Sequence, residues 1–264
     1  MVLLANGINI RFKDEGKGTP QIVFLHYWGG SSRTWDAVVA ALPSGYRLIR
    51  PDLRGWGDSL PAQSATAPGY ALSDFVADAE ALIEQLGLEN YVLVGHSMGG
   101  KVAQLLASKR PAGLKGLVLV ASAPAGPLNL PPPALEAMAS AYESADSVGM
   151  AIDHMLTGKS LSEKHRQQVI QDSLKGLPEA KAAWPKSASQ EDITGEVGKI
   201  NVATLIIAGE LDKVDSPTVL KAELLTRIPR ARLVELASTG HLSPLESPTE
   251  IADAIVSFIE DLPA

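Results

Sequence analysis

The stretch YVLVGHSMGGKVAQLLA (residues 91–107) decides the fold of this 264-residue chain. Its first half is a short apolar run typical of a buried strand, and its second half has the pattern of a helix. Between them lie Gly95, Ser97 and Gly99, with the spacing of a strand–turn–helix that projects a serine side chain. A helix that begins after Ser97 points its N-terminus at that serine and favours negative charge developing there. The stretch therefore predicts a nucleophilic serine.

A serine nucleophile needs a general base, and the base needs an acid to orient it. Histidines occur at positions 26, 96, 154, 165 and 241. His96 lies within the turn and is expected to point away from Ser97, and His154 and His165 fall in a helical region where a solvated role is expected. His241 follows the last predicted strand, where the carboxyl edge of a sheet would present a base to Ser97. We predict His241 as the base.

The acid is expected at the end of another strand. The segment LIIAGELDKVDS offers Glu210, Asp212 and Asp215. Asp212 comes just after the strand and is favoured, while Asp215 is its main competitor because it precedes Ser216-Pro217, where it would cap a helix. The preceding strand, GLVLVASAPA, ends without a carboxylate.

Around this stretch, strand-like and helix-like segments alternate along the chain, which predicts an α/β fold with a doubly wound, mostly parallel sheet. Asn6-Gly7 predicts a tight hairpin turn near the start. For the helix in LSDFVADAEALIEQLGL, Ser73 is the predicted N-cap and Gly87 the residue just past the end. Ser247-Pro248 predicts the start of the last helix.

One long region, residues 124–192, carries no strand pattern. It opens with a proline-rich segment and continues with helical patterns at 134–144, 147–157, 162–176 and 179–189. We expect a helical cap inserted after the sixth strand. The predicted division is a core of residues 1–123 and 193–264 with the cap at 124–192.

Composition excludes several classes of function. Lys plus Arg total 23 against 30 Asp plus Glu, so the net charge is −7, and neither nucleic acid nor an anionic membrane is a predicted partner. The chain has no cysteine, which fits a reducing compartment, and its first apolar run is too short for a signal peptide. A cytoplasmic protein without a metal or a cofactor is predicted, because metal-ligand clusters and phosphate-binding glycine loops are missing from the sequence.

The motifs HYWGG, RPDLRGWGDS, GHSMGG, AGELD and GHLSP, in this order and spacing, resemble the α/β-hydrolase superfamily. The resemblance covers nearly the whole chain and is to the small capped esterases, lactonases, perhydrolases and carbon–carbon bond hydrolases. It implies the α/β-hydrolase fold and the chain order Ser97, Asp212, His241 for nucleophile, acid and base. In the loop PDLRGWGDS, Asp52 is expected to bind main-chain amides.

The resemblance also implies an oxyanion hole, the pair of main-chain N–H groups that binds the developing negative charge. Its donors would be the amides of Trp28, in the loop after the strand ending at His26, and of Met98. Tyr27 departs from the pattern, since the superfamily usually has glycine there. We expect its ring to pack under the loop or line the pocket, with a hydrogen-bonding role for its hydroxyl left open.

These expectations predict a serine hydrolase that cleaves a carboxylic ester or lactone through an acyl-enzyme. Peroxide chemistry, as in cofactor-free perhydrolases and haloperoxidases, and carbon–carbon bond hydrolysis are alternatives that would use the same residues. A non-catalytic ligand receptor is the alternative from another class. The substrate is expected to be a small or medium-sized, apolar, neutral molecule, and a homo-oligomer is left open. Predicted substrate-binding residues are Tyr27, Met138, Tyr142, Trp184 and Leu242.

Overall fold

The computed structural model describes residues 1–63, 68–128 and 130–263. Within these residues the chain forms one nine-stranded sheet. The strands β1 to β9 span Val2–Ala5, Ile8–Glu15, Gln21–Leu25, Arg47–Pro51, Leu60–Pro61, Tyr91–His96, Leu114–Val120, Ala203–Gly209 and Ala231–Leu236.

The strand order is β1-β2-β4-β3-β6-β7-β8-β9, with the short β5 paired to β2. The neighbouring strands in the run β4-β3-β6-β7-β8-β9 pair in parallel. Strand β2 pairs antiparallel with β1, β4 and β5. The predicted mostly parallel sheet is therefore confirmed. One count differs: the sequence analysis did not identify the two-residue β5, so the helical insertion follows the seventh strand in chain order rather than the sixth.

Helices cover both faces of the sheet. The helices α1 to α11 span Asp36–Ala41, Leu72–Gln85, Met98–Ser108, Pro132–Ser140, Ala145–Ala151, Glu163–Lys175, Pro178–Lys186, Thr194–Val197, Pro217–Leu220, Ser243–Glu246 and Pro248–Glu260. Helices α1 and α11 pack together on one face, and α2 and α3 pack together on the other. This is the layer architecture that a sheet apolar on both faces requires.

Local signals in the sequence mostly fix where elements turn and begin. Asn6 and Gly7 both have positive φ, as the predicted hairpin turn between β1 and β2 requires. Gly87 also has positive φ, just past the end of α2, as predicted. The prediction of Ser73 as the N-cap of α2 is wrong. The helix begins at Leu72, two residues before the start that a Ser73 cap implies, because the carboxylate of Asp74 accepts the N–H of Ala71 at 2.9 Å and so closes that end.

The region between β7 and β8 is helical in its described part, as its pattern predicts. Helices α4 to α7 lie there, and α5 continues into a π-helical turn at Ile152–Leu156. Two methionines of this region, Met150 and Met155, are exposed and so do not contribute to its packed side. We propose that residues 124–192 act as a cap on the core of residues 1–123 and 193–264.

Across the described ranges, no helix combines the length and the apolar character needed to cross a membrane.

Candidate active site

Ser97 lies in a strained turn between β6 and α3. Its backbone has φ 50° and ψ −115°, a conformation that non-glycine residues rarely adopt. The two glycines that flank it are needed because main chain approaches them closely. A Cβ on Gly95 would lie 2.4 Å from the carbonyl oxygen of Gly99, and a Cβ on Gly99 would lie 2.5 Å from the carbonyl oxygen of Leu25. Packing of the turn against β3 thus holds the serine in place.

The loops after β8 and β9 bring an acid and a base to this serine. The Oγ of Ser97 lies 3.0 Å from Nε2 of His241, and Nδ1 of His241 lies 2.9 Å from Oδ2 of Asp212. All three side chains are buried. The geometry is that of a hydroxyl donating to Nε2 while the Nδ1–H donates to a carboxylate, which is the arrangement of a nucleophile, base and orienting acid.

Burial and charge act in opposite directions on the two titrating partners. Burial is the largest single influence on His241 and lowers its pKa, but the neighbouring carboxylates, Asp212 foremost, raise it above the ordinary value on balance. Burial alone would raise the pKa of Asp212, but the charge and hydrogen bond of His241 together with the N–H groups of Val214 and Asp215 bring it below the ordinary value. The site therefore favours an Asp212 carboxylate beside an easily protonated imidazole.

The competing acids lie differently. The nearest oxygen of Asp215 is 4.0 Å from Nδ1 of His241, beyond hydrogen-bond distance, and burial raises the pKa of Asp215 to about 8. Glu210 instead accepts the N–H of Ser238 at 2.8 Å. Of the three carboxylates considered, only Asp212 is hydrogen-bonded to His241.

The other histidines do not reach Ser97. His96 donates from Nε2 to the carbonyl of His241 at 2.8 Å, and burial together with the charge of His241 lowers the pKa of His96 to about 3. His154 is exposed, and His165 is partly exposed on α6. His96 thus stays neutral and supports the loop that carries His241.

The loop after β3 lies at the same edge of the sheet as Ser97. His26 accepts the N–H of Leu53 at Nε2 (2.9 Å) and donates from Nδ1 to the carbonyl of Tyr27 (2.8 Å). The peptide group that His26 holds in this way is the one that carries the N–H of Trp28. In the described part of the chain, the N–H groups of Trp28 and Met98 are both without a hydrogen-bond partner within the protein.

The Tyr27 ring packs inside the protein rather than facing solvent. It is 2% exposed, and its centroid lies 5.0 Å from that of His96. Burial raises the pKa of Tyr27 well above its ordinary value, so the hydroxyl stays protonated. Of the roles considered for the ring, packing under the loop is the one this geometry matches.

The other predicted substrate-binding residues lie in the cap, at Met138, Tyr142 and Trp184, and after β9, at Leu242. Trp184 and Tyr142 are almost fully buried in the main apolar core, and Met138 is partly buried against it. Leu242 is fully buried, and its N–H donates to the carbonyl of Leu156 in the cap at 2.8 Å. These side chains close the space around the loops at the sheet edge, and the hydroxyl of Tyr142 is bonded to the carbonyl of Trp28 rather than left free.

One polar residue at the site was missed by the sequence analysis. Glu246 is buried, and its Oε2 accepts the N–H groups of Gly240 (3.0 Å), Gly158 (2.8 Å) and Lys159 (3.1 Å). Burial outweighs these bonds and raises the pKa of Glu246. Its carboxylate ties the loop of His241 to the cap. In the sequence it appears only as an acidic residue near a helix start, and nothing local indicates partners 87 and 88 residues away.

A cavity of about 690 Å³ elsewhere on the molecule is not part of this site. It is lined by charged side chains of β2, of the loops after β3 and β4, and of α6. Ser97, Asp212 and His241 do not line it. A second, small cavity of about 10 Å³ is lined mainly by apolar residues, together with Asp52, Arg54 and Asp78. Over the described residues, no cluster of three or more histidine or acidic side chains could hold a metal ion.

The sheet is mostly parallel, and a serine lies in a strained turn after its central strand. An acid and a histidine follow the last two strands. This combination is typical of α/β-hydrolases. Comparison with known proteins agrees. The sequence profile described as the alpha/beta hydrolase family matches residues 22–254. The chain belongs to this alpha/beta hydrolase family.

Three known proteins illustrate the similarity. A non-heme haloperoxidase from Rhodococcus erythropolis is 30% identical over 277 residues, covering 98% of each protein. A solved bromoperoxidase from Bacillus anthracis has a TM-score of 0.87 at 25% identity, covering 99% of this chain and 100% of that one. A solved esterase from Exiguobacterium antarcticum has a TM-score of 0.88 at 24% identity, with 98% and 99% covered. At that identity the last comparison shows the fold alone.

Proposed function

We propose that this chain is a serine hydrolase that cleaves a small, neutral carboxylic ester or lactone through an acyl-enzyme. The observation that carries the proposal is the unbroken hydrogen-bond chain from Ser97 through His241 to Asp212. We assign these three residues as nucleophile, general base and orienting acid, and the amides of Trp28 and Met98 as the oxyanion hole. A cytoplasmic location stays a prediction of the sequence.

In the first half-reaction, Nε2 of His241 takes the proton of Ser97 as Oγ attacks the substrate carbonyl. The carbonyl oxygen becomes an oxyanion, which the N–H groups of Trp28 and Met98 bind. The tetrahedral intermediate collapses to the acyl-enzyme, and the leaving alkoxide oxygen takes the proton from His241 and departs as the alcohol. In the second half-reaction, water is deprotonated by His241 and attacks the acyl carbon. The intermediate then expels Ser97, which recovers its proton, and the carboxylic acid is released.

A second candidate function differs only in the attacking molecule. Hydrogen peroxide in place of water would release a peroxy acid from the same acyl-enzyme. The observation that favours it is the similarity over nearly the whole chain to a protein named as a non-heme haloperoxidase. The two functions are separated by adding peroxide and bromide to the ester assay, with the wild-type protein and with Ser97→Ala. Formation of the peroxy acid should then require both peroxide and the serine.

The direct test is Ser97→Ala measured against p-nitrophenyl acetate and butyrate and a panel of lactones. We expect turnover to fall at least about a thousandfold, since the variant has no nucleophile while the hole and the histidine remain. Ser108→Ala is the matched control, because this serine ends the helix that follows Ser97 and its hydroxyl donates to the carbonyl of Leu105, away from the site. Equal rates in wild type and Ser97→Ala would overturn the assignment.

A further inference from the structure

The loop that follows β3 is held from the side of the cap. The carbonyl of Trp28 accepts the hydroxyl of Tyr142 at 3.0 Å, and the indole Nε1 of Trp28 donates to the carbonyl of Lys181 at 3.1 Å. The carbonyl of Gly29 accepts the hydroxyl of Ser173 at 3.1 Å. Each of these three partners belongs to the insertion between β7 and β8. Two consecutive peptide groups of the loop therefore depend on the insertion for their hydrogen bonds.

An ion pair extends this attachment along the loop. Asp172 of α6 accepts the hydroxyl of Ser31 at 2.8 Å and Nε of Arg33 at 3.1 Å. The Asp172 side chain is 6% exposed, so the pair is shielded from solvent on the acidic side and is screened less than a surface pair. The loop is thus fixed to the cap at both of its ends, and Tyr142 lies at the end next to the proposed oxyanion hole.

Tyr142 fits closely against this loop. Its ring stacks on the indole of Trp28, with centroids 4.1 Å apart and planes 30° apart. A Cβ on Gly29 would lie 2.4 Å from the Tyr142 ring, so the glycine is needed for the ring to come this close. The phenol is 2% exposed and burial raises its pKa, which leaves it a neutral hydrogen-bond donor.

The two peptide groups on either side of Trp28 are held from different directions. The carbonyl of Tyr27 is bound by Nδ1 of His26 and by the N–H of Gly30, both from the core. The carbonyl of Trp28 is bound by Tyr142, from the cap. The N–H of Trp28 belongs to the first of these peptide groups, and Tyr142 holds the second, so the main chain of Trp28 is anchored on both sides. Without the Tyr142 hydroxyl, the main-chain bond on the carboxyl side of Trp28 is lost.

We propose that Tyr142 is a positioning residue that aims the main-chain N–H of Trp28 at the oxyanion, rather than a substrate-binding residue as the sequence analysis predicts. The inference rests on the proposed function, because it gives Trp28 a role in the oxyanion hole. It follows that removal of the cap hydrogen bond lowers the stabilisation of the tetrahedral state more than the binding of substrate.

The test is Tyr142→Phe in the full chain, which keeps the stacked ring and removes only the hydroxyl. We expect kcat for p-nitrophenyl acetate to fall about tenfold with KM changed less than about twofold, as for loss of one hydrogen bond that acts in the transition state. The affinity for a boronic acid, which forms a tetrahedral adduct on a serine, should weaken by the same factor as kcat/KM. Ser173→Ala, which frees the next carbonyl of the loop, should act in the same direction more weakly.

The matched control is Tyr91→Phe. This buried tyrosine lies at the opposite end of β6 from Ser97, and its hydroxyl is unpaired within the described residues, so its loss should leave kcat and boronic acid affinity unchanged. A rise in KM with unchanged kcat and boronic acid affinity in Tyr142→Phe would make Tyr142 a substrate contact and overturn the inference. Kinetics identical to wild type would overturn it as well.

The labelling rate of Ser97 by a fluorophosphonate separates this inference from the proposed function. A wild-type protein that neither labels at Ser97 nor turns over esters contradicts the proposed function itself. A wild-type protein that labels rapidly, with Tyr142→Phe labelling about tenfold more slowly, supports the inference even before a natural substrate is known. Equal labelling rates in the two proteins contradict the inference alone.

Discussion

The turn at Ser97 and the loop at Trp28 lie at the same edge of the sheet, but different parts of the molecule hold them. The turn is fixed by its own glycines and by close packing on the main chain of β3. The loop is held by His26 of the core and also by side chains of the insertion, with Tyr142 and Ser173 bonded to two of its carbonyls. A substitution at the turn should therefore act on the fold, whereas one beneath the loop should act on the rate.

The largest expected effect on stability is that of a substitution in the turn. Gly99→Ala places a Cβ 2.5 Å and 2.6 Å from the carbonyl oxygens of Leu25 and His26, both main-chain atoms that cannot move aside without shifting β3. We expect a loss of about 3 kcal/mol or more in the free energy of unfolding, measured by urea denaturation. Gly195→Ala is the control, because a Cβ there meets nothing within 4 Å. Equal stability of Gly99→Ala and wild type would show that packing does not fix the turn.

The next prediction concerns the loops after β8 and β9, where a substitution should lower the reaction rate and leave the stability nearly unchanged. Asp212→Asn should lower kcat by about 10³–10⁴ with little loss of stability, because the amide no longer holds His241 in the reactive tautomer. Since Asp212 raises the pKa of His241, the acidic limb of the kcat/KM profile should lie above the ordinary histidine value of about 6.5 in wild type and move to lower pH in the variant.

The direction of this shift in the pH profile follows because His241 acts as a base only when it is neutral. A raised pKa means that activity is lost on acidification earlier, at a higher pH, than for an unperturbed histidine. Asp215→Asn is the matched comparison on the same loop, and it should cost much less because Asp215 makes no hydrogen bond to His241. A larger loss in Asp215→Asn than in Asp212→Asn would exchange the roles of the two acids.

A smaller effect is expected where the cap meets the loop of His241. Glu246→Ala removes the shared acceptor of Gly158, Lys159 and Gly240, and we expect kcat to fall about tenfold as this loop loosens. Glu246→Gln keeps an oxygen at the same position and should recover most of the rate. Should both variants show wild-type kcat with only a lower melting temperature, the contact supports the fold and does not position His241.

The same contrast explains what could be predicted from the sequence. The sheet, the hairpin at Asn6-Gly7 and the turn at Ser97 rest on signals within about ten neighbouring residues, namely apolar runs and glycines at fixed spacing. The predicted start of α2 lies two residues too late, because the capping side chain is Asp74, which reaches back to the N–H of Ala71, and not Ser73.

The contacts of Tyr142 and Glu246 could not be predicted in the same way. The Tyr142 hydroxyl bonds a carbonyl 114 residues away, and Glu246 bonds amides 87 and 88 residues away. No periodicity or motif encodes contacts at such separations, since they depend on where the insertion lies against the core. The sequence therefore predicts a substrate contact at Tyr142 and gives no prediction for Glu246.

The central claim is that Ser97 forms a covalent acyl intermediate, and the most direct measurement is mass spectrometry of the protein quenched in acid during turnover of p-nitrophenyl acetate. The account predicts one added acetyl group, located at Ser97 by fragmentation of the proteolytic peptide, and no such addition in Ser97→Ala. Acetylation at another residue, or turnover with Ser97 unmodified and Ser97→Ala fully active, would contradict it.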